Sequence, residues 1–161
     1  MSINIRTKGR TAEQDIATDL NSVLNVLRMK KGIPFPDKPT VQRNQNQSAV
    51  GGQDLVGTLG FAIEVKRQEQ LNINTWWRQC IASAKTLGED PVLLFRQNHQ
   101  KWRCLMLAEV RTNDSVRMTL RVEIDYQDFL ALFQARAEAY LDREQSSKAT
   151  GVKEGSLFDH V

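Results

Sequence analysis

One short stretch, residues 91–95, constrains the fold of this chain most strongly. Its sequence, Pro-Val-Leu-Leu-Phe, is wholly apolar, and polar residues bound it on both sides. A run of this kind and length is typical of a central β-strand that is buried on both faces. Such a strand needs a covering layer on each side of its sheet. We therefore expect an α/β protein in which a central sheet is flanked by helices.

The rest of the pattern supplies elements around that strand. We predict helices over residues 11–31, 75–87 and 125–141, and strands near residues 40–43, 54–56, 61–66, 102–107 and 116–124. Thr11 and Gln14 have the spacing of a capping box at the start of the first helix, and Gly32 supplies its stop. The order of elements predicts one mixed sheet. The residues expected to face inward from the second and third helices are Trp77, Cys80, Ile81, Ala84, Phe129, Leu132 and Phe133.

The length of 161 residues fits a single domain. We assign residues 1–141 to this domain. Residues 142–161 are rich in Ser, Lys and Gly, and we expect them to form a disordered tail. No apolar run reaches the length of a membrane span, so we expect no membrane association.

The cysteines and histidines exclude several kinds of metal centre. Cys80 and Cys104 lie far apart without metal-binding spacing, and His99 and His160 are the only histidines. We therefore expect neither a disulfide framework nor a zinc or histidine-rich site. Any metal would be held by carboxylates, which favours a hard cation, Mg²⁺ or Mn²⁺.

The formal net charge of +3 is unevenly distributed. Residues 1–45 hold eight Lys and Arg against four acids, whereas the stretch from 46 to 141 is balanced. A polyanion could dock on this basic N-terminal region, although charge alone fits a solvated basic surface equally well.

The segment from Asp54 to Lys66 carries the pattern that most suggests chemistry. Residues 58–60 end in glycine, as in a three-residue turn that closes a β-hairpin. Counting outward from that turn places Asp54 opposite Glu64, with Cβ atoms ~5 Å apart. Two carboxylates at that distance repel each other unless a cation lies between them. A divalent ion bound by oxygens at ~2.1 Å fits the gap.

Alternation along the second strand of this hairpin separates two faces. Ala62, Glu64 and Lys66 share one face, and Phe61, Ile63 and Val65 share the other. The apolar face would pack on a helix. On the other face, Lys66 could reach a scissile phosphate or orient a water. A surface strand with a cross-strand salt bridge is the alternative, and it is the commoner arrangement for Glu-x-Lys alone. The facing Asp54 favours a site.

Glu13 adds a further acid. It lies three residues before Ile16 and seven before Leu20, so it extends the apolar stripe of the first helix. Taken alone, it is better explained as a first-turn acid that favours the helix dipole. Together with the hairpin, Glu13 becomes a candidate outer metal ligand that acts through water.

These motifs resemble a known superfamily. Asp54, then nine residues, then Glu64-Val65-Lys66, with Glu13 upstream on a helix, is similar to the pattern of PD-(D/E)xK nucleases. The longer string is Lys8-Gly-Arg-x-x-Glu13, a basic loop, Gly51-Gly52-Gln-Asp54-Leu and Ile63-Glu-Val-Lys66. Over about residues 8–107 it resembles Holliday junction resolvases of the archaeal type and their phage relatives. Gln53 stands where many members have Pro, and the loop lacks their Gly-Ser-Gly.

The resemblance implies a restriction-endonuclease-like fold with an αβββαβ core. It also implies that Asp54, Glu64 and the carbonyl of Val65 bind the metal, that Glu13 completes the site, and that Lys66 positions the nucleophilic water. With the charge pattern, it suggests a set of DNA contacts in which Ser48 would replace the missing serine and Gln79 could equally be a solvent-facing residue. The candidates are Lys8, Arg10, Lys30, Lys31, Arg43, Ser48, Arg67 and Gln79.

The function expected on this basis is a homodimeric, Mg²⁺-dependent endonuclease that resolves branched DNA in the cytoplasm of a bacterial or phage-infected cell. A two-fold dimer would supply two active sites for paired cuts. Three alternatives stay open: a duplex endonuclease or exonuclease of the same fold, a protein that binds DNA without cutting it, and a scaffold that binds neither DNA nor metal.

Overall fold

A computed structural model describes residues 5–46 and 52–150 of the chain. Its elements follow one another as α1 (Ile5–Lys31), β1 (Gln42–Arg43), β2 (Leu55–Val56), β3 (Phe61–Arg67), α2 (Ile73–Leu87), β4 (Asp90–Arg96), β5 (Arg103–Arg111), β6 (Arg117–Asp125) and α3 (Tyr126–Ala149). This is the predicted order of helices and strands. None of the described helices is long and apolar enough to cross a membrane.

The main sheet has four strands in the order β3-β4-β5-β6. β3 and β4 are parallel and are joined by α2, whereas β4, β5 and β6 are antiparallel to their neighbours. The sheet is therefore mixed, as predicted. The first two strands depart from the expectation of a single sheet, because β1 and β2 form their own antiparallel ladder.

The two faces of the main sheet pack on different helices. On one face, Ile63, Val92 and Leu94 are buried with residues of α1 and α3. On the other, Leu93 and Phe95 are buried with Trp76 and Cys80 of α2. Because consecutive residues of β4 are buried on opposite faces, the wholly apolar run at 91–95 is indeed a central strand.

The first helix begins earlier than predicted. It starts at Ile5, and Thr11 lies inside it with its hydroxyl donating to the carbonyl of Thr7 at 2.9 Å. The capping-box interpretation of Thr11 was therefore wrong, because a mid-helix Thr can satisfy its hydroxyl on the preceding turn. The predicted stop is confirmed, since Gly32 has the left-handed φ of 65°.

The second and third helices also differ from prediction. α2 begins at Ile73, and Trp76 rather than Trp77 is its buried tryptophan. In α3, Phe129 and Phe133 are buried as expected, whereas Leu132 is exposed.

The end of α3 lies beyond the predicted boundary at residue 141. Leu141 is fully buried, and the helix continues to Ala149. Its extension is tied to α1 by ion pairs from Asp142 to Lys31 at 2.6 Å and from Glu144 to Arg28 at 3.3 Å. Residues 142–149 are therefore helical despite their polar composition. The rest of the predicted tail, from residue 151, lies outside the described residues.

Candidate active site

The segment that precedes β3 lies along its free edge. The backbone N–H of Asp54 donates to the carbonyl of Ile63 at 3.0 Å, and the Asp54 carboxylate accepts from the N–H of Val65 at 2.7 Å. The chain reverses at residues 57–60, as predicted, with positive φ at Gly57, Leu59 and Gly60. The predicted register, with Asp54 directly opposite Glu64 in a regular ladder, is wrong. The Val65 N–H donates to the Asp54 carboxylate, where a regular ladder would supply a backbone carbonyl.

The direction of the backbone groups in β3 follows from its two ends. The carbonyl of Gly60 and the N–H of Gln68 both bond to residues of the β4 side, Asp90 and Arg96. Even-numbered residues of β3 therefore point their backbone groups at β4, and odd-numbered ones point at the opposite edge. It follows that the carbonyl of Val65 points to the same edge as the Asp54 carboxylate.

Three predicted site residues come together at this edge. Asp54 and Glu64 retain only 8% and 6% of their accessible surface. Glu64 and Lys66 share the face of β3 that lies on the α2 side, and the Lys66 Nζ is 3.7 Å from Glu64 Oε2. The expectation of two acids beside a lysine is met in this structure.

Asp54 and Glu64 are neighbouring buried carboxyl groups, so ionisation of both at once is unfavourable. Burial and the charge of Asp54 together raise the pKa of Glu64 to about 8, although the charge of Lys66 opposes the shift. Burial also raises the pKa of Asp54, whereas the hydrogen bond from the Val65 N–H and the charge of Lys66 lower it. A divalent cation between the two groups would offset both effects. The donor set therefore fits a hard cation.

Glu13 lies beside this pair and is held by an arginine. It is buried on α1, and its Oε2 accepts from Arg43 Nε at 2.7 Å. Its charge contributes to the raised pKa of Asp54. Arg43, predicted as a DNA contact, positions Glu13 in this structure. Within residues 5–46 and 52–150, no three His, Cys, Asp or Glu side chains are grouped as ligands of one ion.

Cys80 forms part of the site wall, which the sequence pattern did not indicate. It is fully buried on α2, with its Sγ 3.8 Å from the carbonyl of Ala62. Burial and the charge of Glu64 raise the pKa of this thiol to about 12. The apolar stripe of α2 predicts that Cys80 is buried. It does not predict which strand lies beneath, because that depends on how the helix crosses the sheet.

Several candidate DNA contacts lie near the site. A cavity of about 760 Å³ between α1 and the segment around Lys38 is lined by Arg10 and Arg43. Lys8, two residues before Arg10, is half-buried. Arg67, at the end of β3, donates from Nε to Asn98 Oδ1 at 3.0 Å.

Other candidates are more distant or less well defined. Lys30 and Lys31 stand at the far end of α1, roughly 26 Å along the helix axis from Glu13, and Lys31 pairs with Asp142. Gln79 is exposed on α2. Ser48 lies outside the described residues.

The mixed sheet, the Asp54–Glu64 pair and the adjacent Lys66 define the class as PD-(D/E)xK nucleases. A family profile described as "Phage putative PDDEXK endonuclease" matches residues 4–140. The chain belongs to this family, and the predicted superfamily is thereby confirmed.

The chain resembles the solved structure of a Holliday junction resolvase from the archaeal hyperthermophile Archaeoglobus fulgidus, with 15% sequence identity and a TM-score of 0.45. The match covers 77% of this chain and 96% of the resolvase. A search of curated protein sequences finds no match.

Proposed function

We propose that this nuclease is a homodimeric, Mg²⁺- or Mn²⁺-dependent endonuclease that hydrolyses phosphodiester bonds in branched DNA. Family membership supplies the reaction class. The observation that carries the proposal is the buried pair of Asp54 and Glu64, with the Lys66 Nζ 3.7 Å from Glu64 Oε2. Two buried acids with raised pKa values lower the stability of the fold. Their position beside a lysine at a sheet edge is therefore typical of a catalytic site.

Asp54, Glu64 and the Val65 carbonyl would hold the cation. Asp54 is fixed for this task, because its backbone and one carboxylate oxygen are bonded to β3. Glu13 would complete the site through a water, with Arg43 fixing its orientation. When bound, the cation supplies Lewis-acid stabilisation of the phosphoryl oxygens and favours ionisation of the attacking water.

Lys66 would orient that water and offset charge on the phosphate. Its side chain is only partly exposed, and the nearby Glu64 carboxylate limits where the ammonium can lie. A positively charged donor fixed before substrate arrives stabilises developing negative charge without reorganisation.

The basic groove beside α1 is the proposed path of the DNA backbone. Arg10 and Lys38 line it, and Lys8 precedes Thr11, another lining residue, by three positions on the same helix. Arg67 would contact the phosphate on the other side of Lys66. Lys30 and Lys31 remain candidates for more distant contacts, and Gln79 and Ser48 remain predicted DNA contacts. Because these are phosphate contacts, affinity should fall steeply with salt.

The proposal is tested by cleavage of a four-way junction and of a linear duplex with the same arm sequences. Each substrate is incubated with wild type and with Asp54→Asn, with and without Mg²⁺. We expect cleavage only by the wild type with Mg²⁺, and faster cleavage of the junction. Equal cleavage of both substrates would overturn junction selectivity, and cleavage by Asp54→Asn or without a divalent ion would overturn the mechanism.

A further inference from the structure

The hairpin of β5 and β6 extends beyond the rest of the sheet. Each strand has nine residues, and they pair along their full length. β4 pairs with β5 only over Val92–Phe95 and Arg103–Met106. Residues 107–121 therefore project past the end of β4 as a two-stranded ribbon.

One face of this ribbon is apolar and exposed. Even-numbered residues share the face of Cys104 and Ile124, which pack in the core formed with α1 and α3. Further out on that face, four large side chains keep two fifths or more of their surface. They are Val110 at 43%, Val116 at 50%, Met118 at 52% and Leu120 at 40%. Such a cluster on one face is typical of an interaction surface, whereas scattered exposed apolar residues are ordinary.

β6 is also an edge strand. In the described part of the chain it pairs with β5 alone, through nine consecutive residue pairs without a bulge. It contains no proline that would block a further strand. A long, regular edge of this kind offers unpaired N–H and C=O groups to another strand.

We propose that β6 pairs antiparallel with β6 of a second copy, across a two-fold axis at Leu120. This inference rests on the proposed homodimer and specifies its interface. The two four-stranded sheets would become one continuous sheet, with β6 strands at its centre. The interface would be isologous, with the same patch used by both copies.

The sequence of β6 is complementary to itself in this register. On the apolar face, Leu120 lies opposite the partner's Leu120, Met118 opposite the partner's Val122, and Val116 opposite the partner's Ile124. On the polar face, Arg117 lies opposite the partner's Glu123. Apolar side chains thus lie opposite apolar side chains, and a positive charge lies opposite a negative one. Both are favourable cross-strand pairs.

Neighbouring registers fit less well. An axis at Arg121 would place two arginines opposite each other, which is repulsive. An axis at Val122 would leave Met118 and Val116 opposite residues of α3 instead of a strand. The ion pairs that Arg117 and Glu123 make within the chain involve exposed side chains, so both can share a second partner.

The dimer would place both active sites at the outer edges of the sheet. Antiparallel pairing in one sheet keeps equivalent faces on the same side, so Glu64 and Lys66 of both copies would open in one direction. Seven strand spacings, or about 34 Å, separate the two β3 strands across the sheet. Because Glu64 lies level with Glu123, the two Glu64 residues are also offset by six residues, or about 20 Å, along the strands. The two active sites would therefore lie about 40 Å apart on one face of the sheet, where both could act on one branched substrate.

The first test measures the oligomeric state without DNA or metal, by sedimentation equilibrium of the full chain. We expect a wild-type dimer, and a monomer for Leu120→Lys at the same concentration. Leu120 is half-exposed in the monomer, so the lysine should leave the fold intact, which circular dichroism checks. A monomeric wild type, or a folded dimeric Leu120→Lys, would overturn the inference.

A second test reads the register by disulfide formation under a mild oxidant. Cys80 and Cys104 are buried and give a low background. Leu120→Cys places two thiols on the axis and should cross-link at least about tenfold faster than Val122→Cys, whose thiols would be ~13 Å apart along the strands. Equal rates, or faster cross-linking of Val122→Cys, would overturn this register. Both tests are independent of cleavage, so they can fail while the proposed nuclease activity stands.

Discussion

Asp54 makes two hydrogen bonds to β3, one through its backbone N–H and one through its carboxylate. The second bond explains why its position was only partly predictable. The spacing from Asp54 to Glu64 and Lys66 predicted that the three residues meet at one place. It did not predict that the Asp54 carboxylate would accept the N–H of Val65. Aspartate side chains compete with backbone carbonyls for such N–H groups, and this competition shifts a strand register in ways that periodicity does not encode.

The raised pKa of Glu64 predicts a pH dependence of stability in metal-free protein. In the unfolded chain this carboxyl titrates near its ordinary pKa of 4.5, whereas in the fold its pKa is about 8. Between these values the folded state keeps a proton that the unfolded state has lost. The free energy of unfolding should therefore fall as pH rises from 4.5 to about 8, by at most about 5 kcal/mol.

Thermal unfolding of wild type and Glu64→Gln across this range, with a chelator present, measures the effect. The glutamine keeps the shape of the side chain but does not titrate, so the decline should be much smaller in the variant. Parallel curves for the two proteins would show that Glu64 does not titrate as described.

At the scale of elements, the sequence pattern located the helices and strands of the described residues, but it placed their ends poorly. The start of α1 was missed because residues 6–10 lack apolar side chains and contain Gly9, yet they belong to the helix. The end of α3 was missed because its anchoring is by ion pairs to α1, between residues more than a hundred positions apart. Such contacts depend on tertiary structure and leave no local signal.

Gly57 should tolerate substitution far less well than Gly32. Both have left-handed φ, at 72° and 65°, but a Cβ on Gly57 would lie 1.9 Å from the carbonyl oxygen of Thr40, whereas one on Gly32 would meet nothing within 4 Å. Gly32→Ala should cost about 1 kcal/mol for conformation alone. Gly57→Ala adds a backbone clash and should cost at least about 2 kcal/mol more. Urea unfolding of both variants measures this, and equal losses would contradict the close approach of Gly57 to Thr40.

The link between α1 and α3 predicts unequal effects at two residues that share Glu144. Arg28 is buried and also donates to the carbonyl of Pro34, whereas Lys148 is largely exposed. Arg28→Ala should destabilise the fold by roughly 2–3 kcal/mol. Lys148→Ala should cost no more than about 0.5 kcal/mol. Unfolding free energies of the two variants decide this, and a small loss for Arg28→Ala would mean that the extension of α3 contributes little.

At the scale of the whole molecule, the two faces of the sheet have different roles. The face covered by α1 and α3 carries most of the apolar core, and the face covered by α2 carries Glu64 and Lys66. The alternation of residues 61–66 predicted this division. It could not predict the strand order, which puts β3 at one edge beside Asp54 and β6 at the other, because strand order depends on long-range pairing.

The central claim is that Asp54, Glu64 and Lys66 together form the catalytic site of a nuclease. Single-turnover cleavage of a four-way junction with Mg²⁺, measured beside junction affinity, tests it most directly for Lys66→Ala. The control is Lys85→Ala, an exposed lysine on α2. We predict at least about a hundredfold slower cleavage for Lys66→Ala with nearly unchanged affinity, and wild-type behaviour for the control. Cleavage by Lys66→Ala at the wild-type rate would contradict the account.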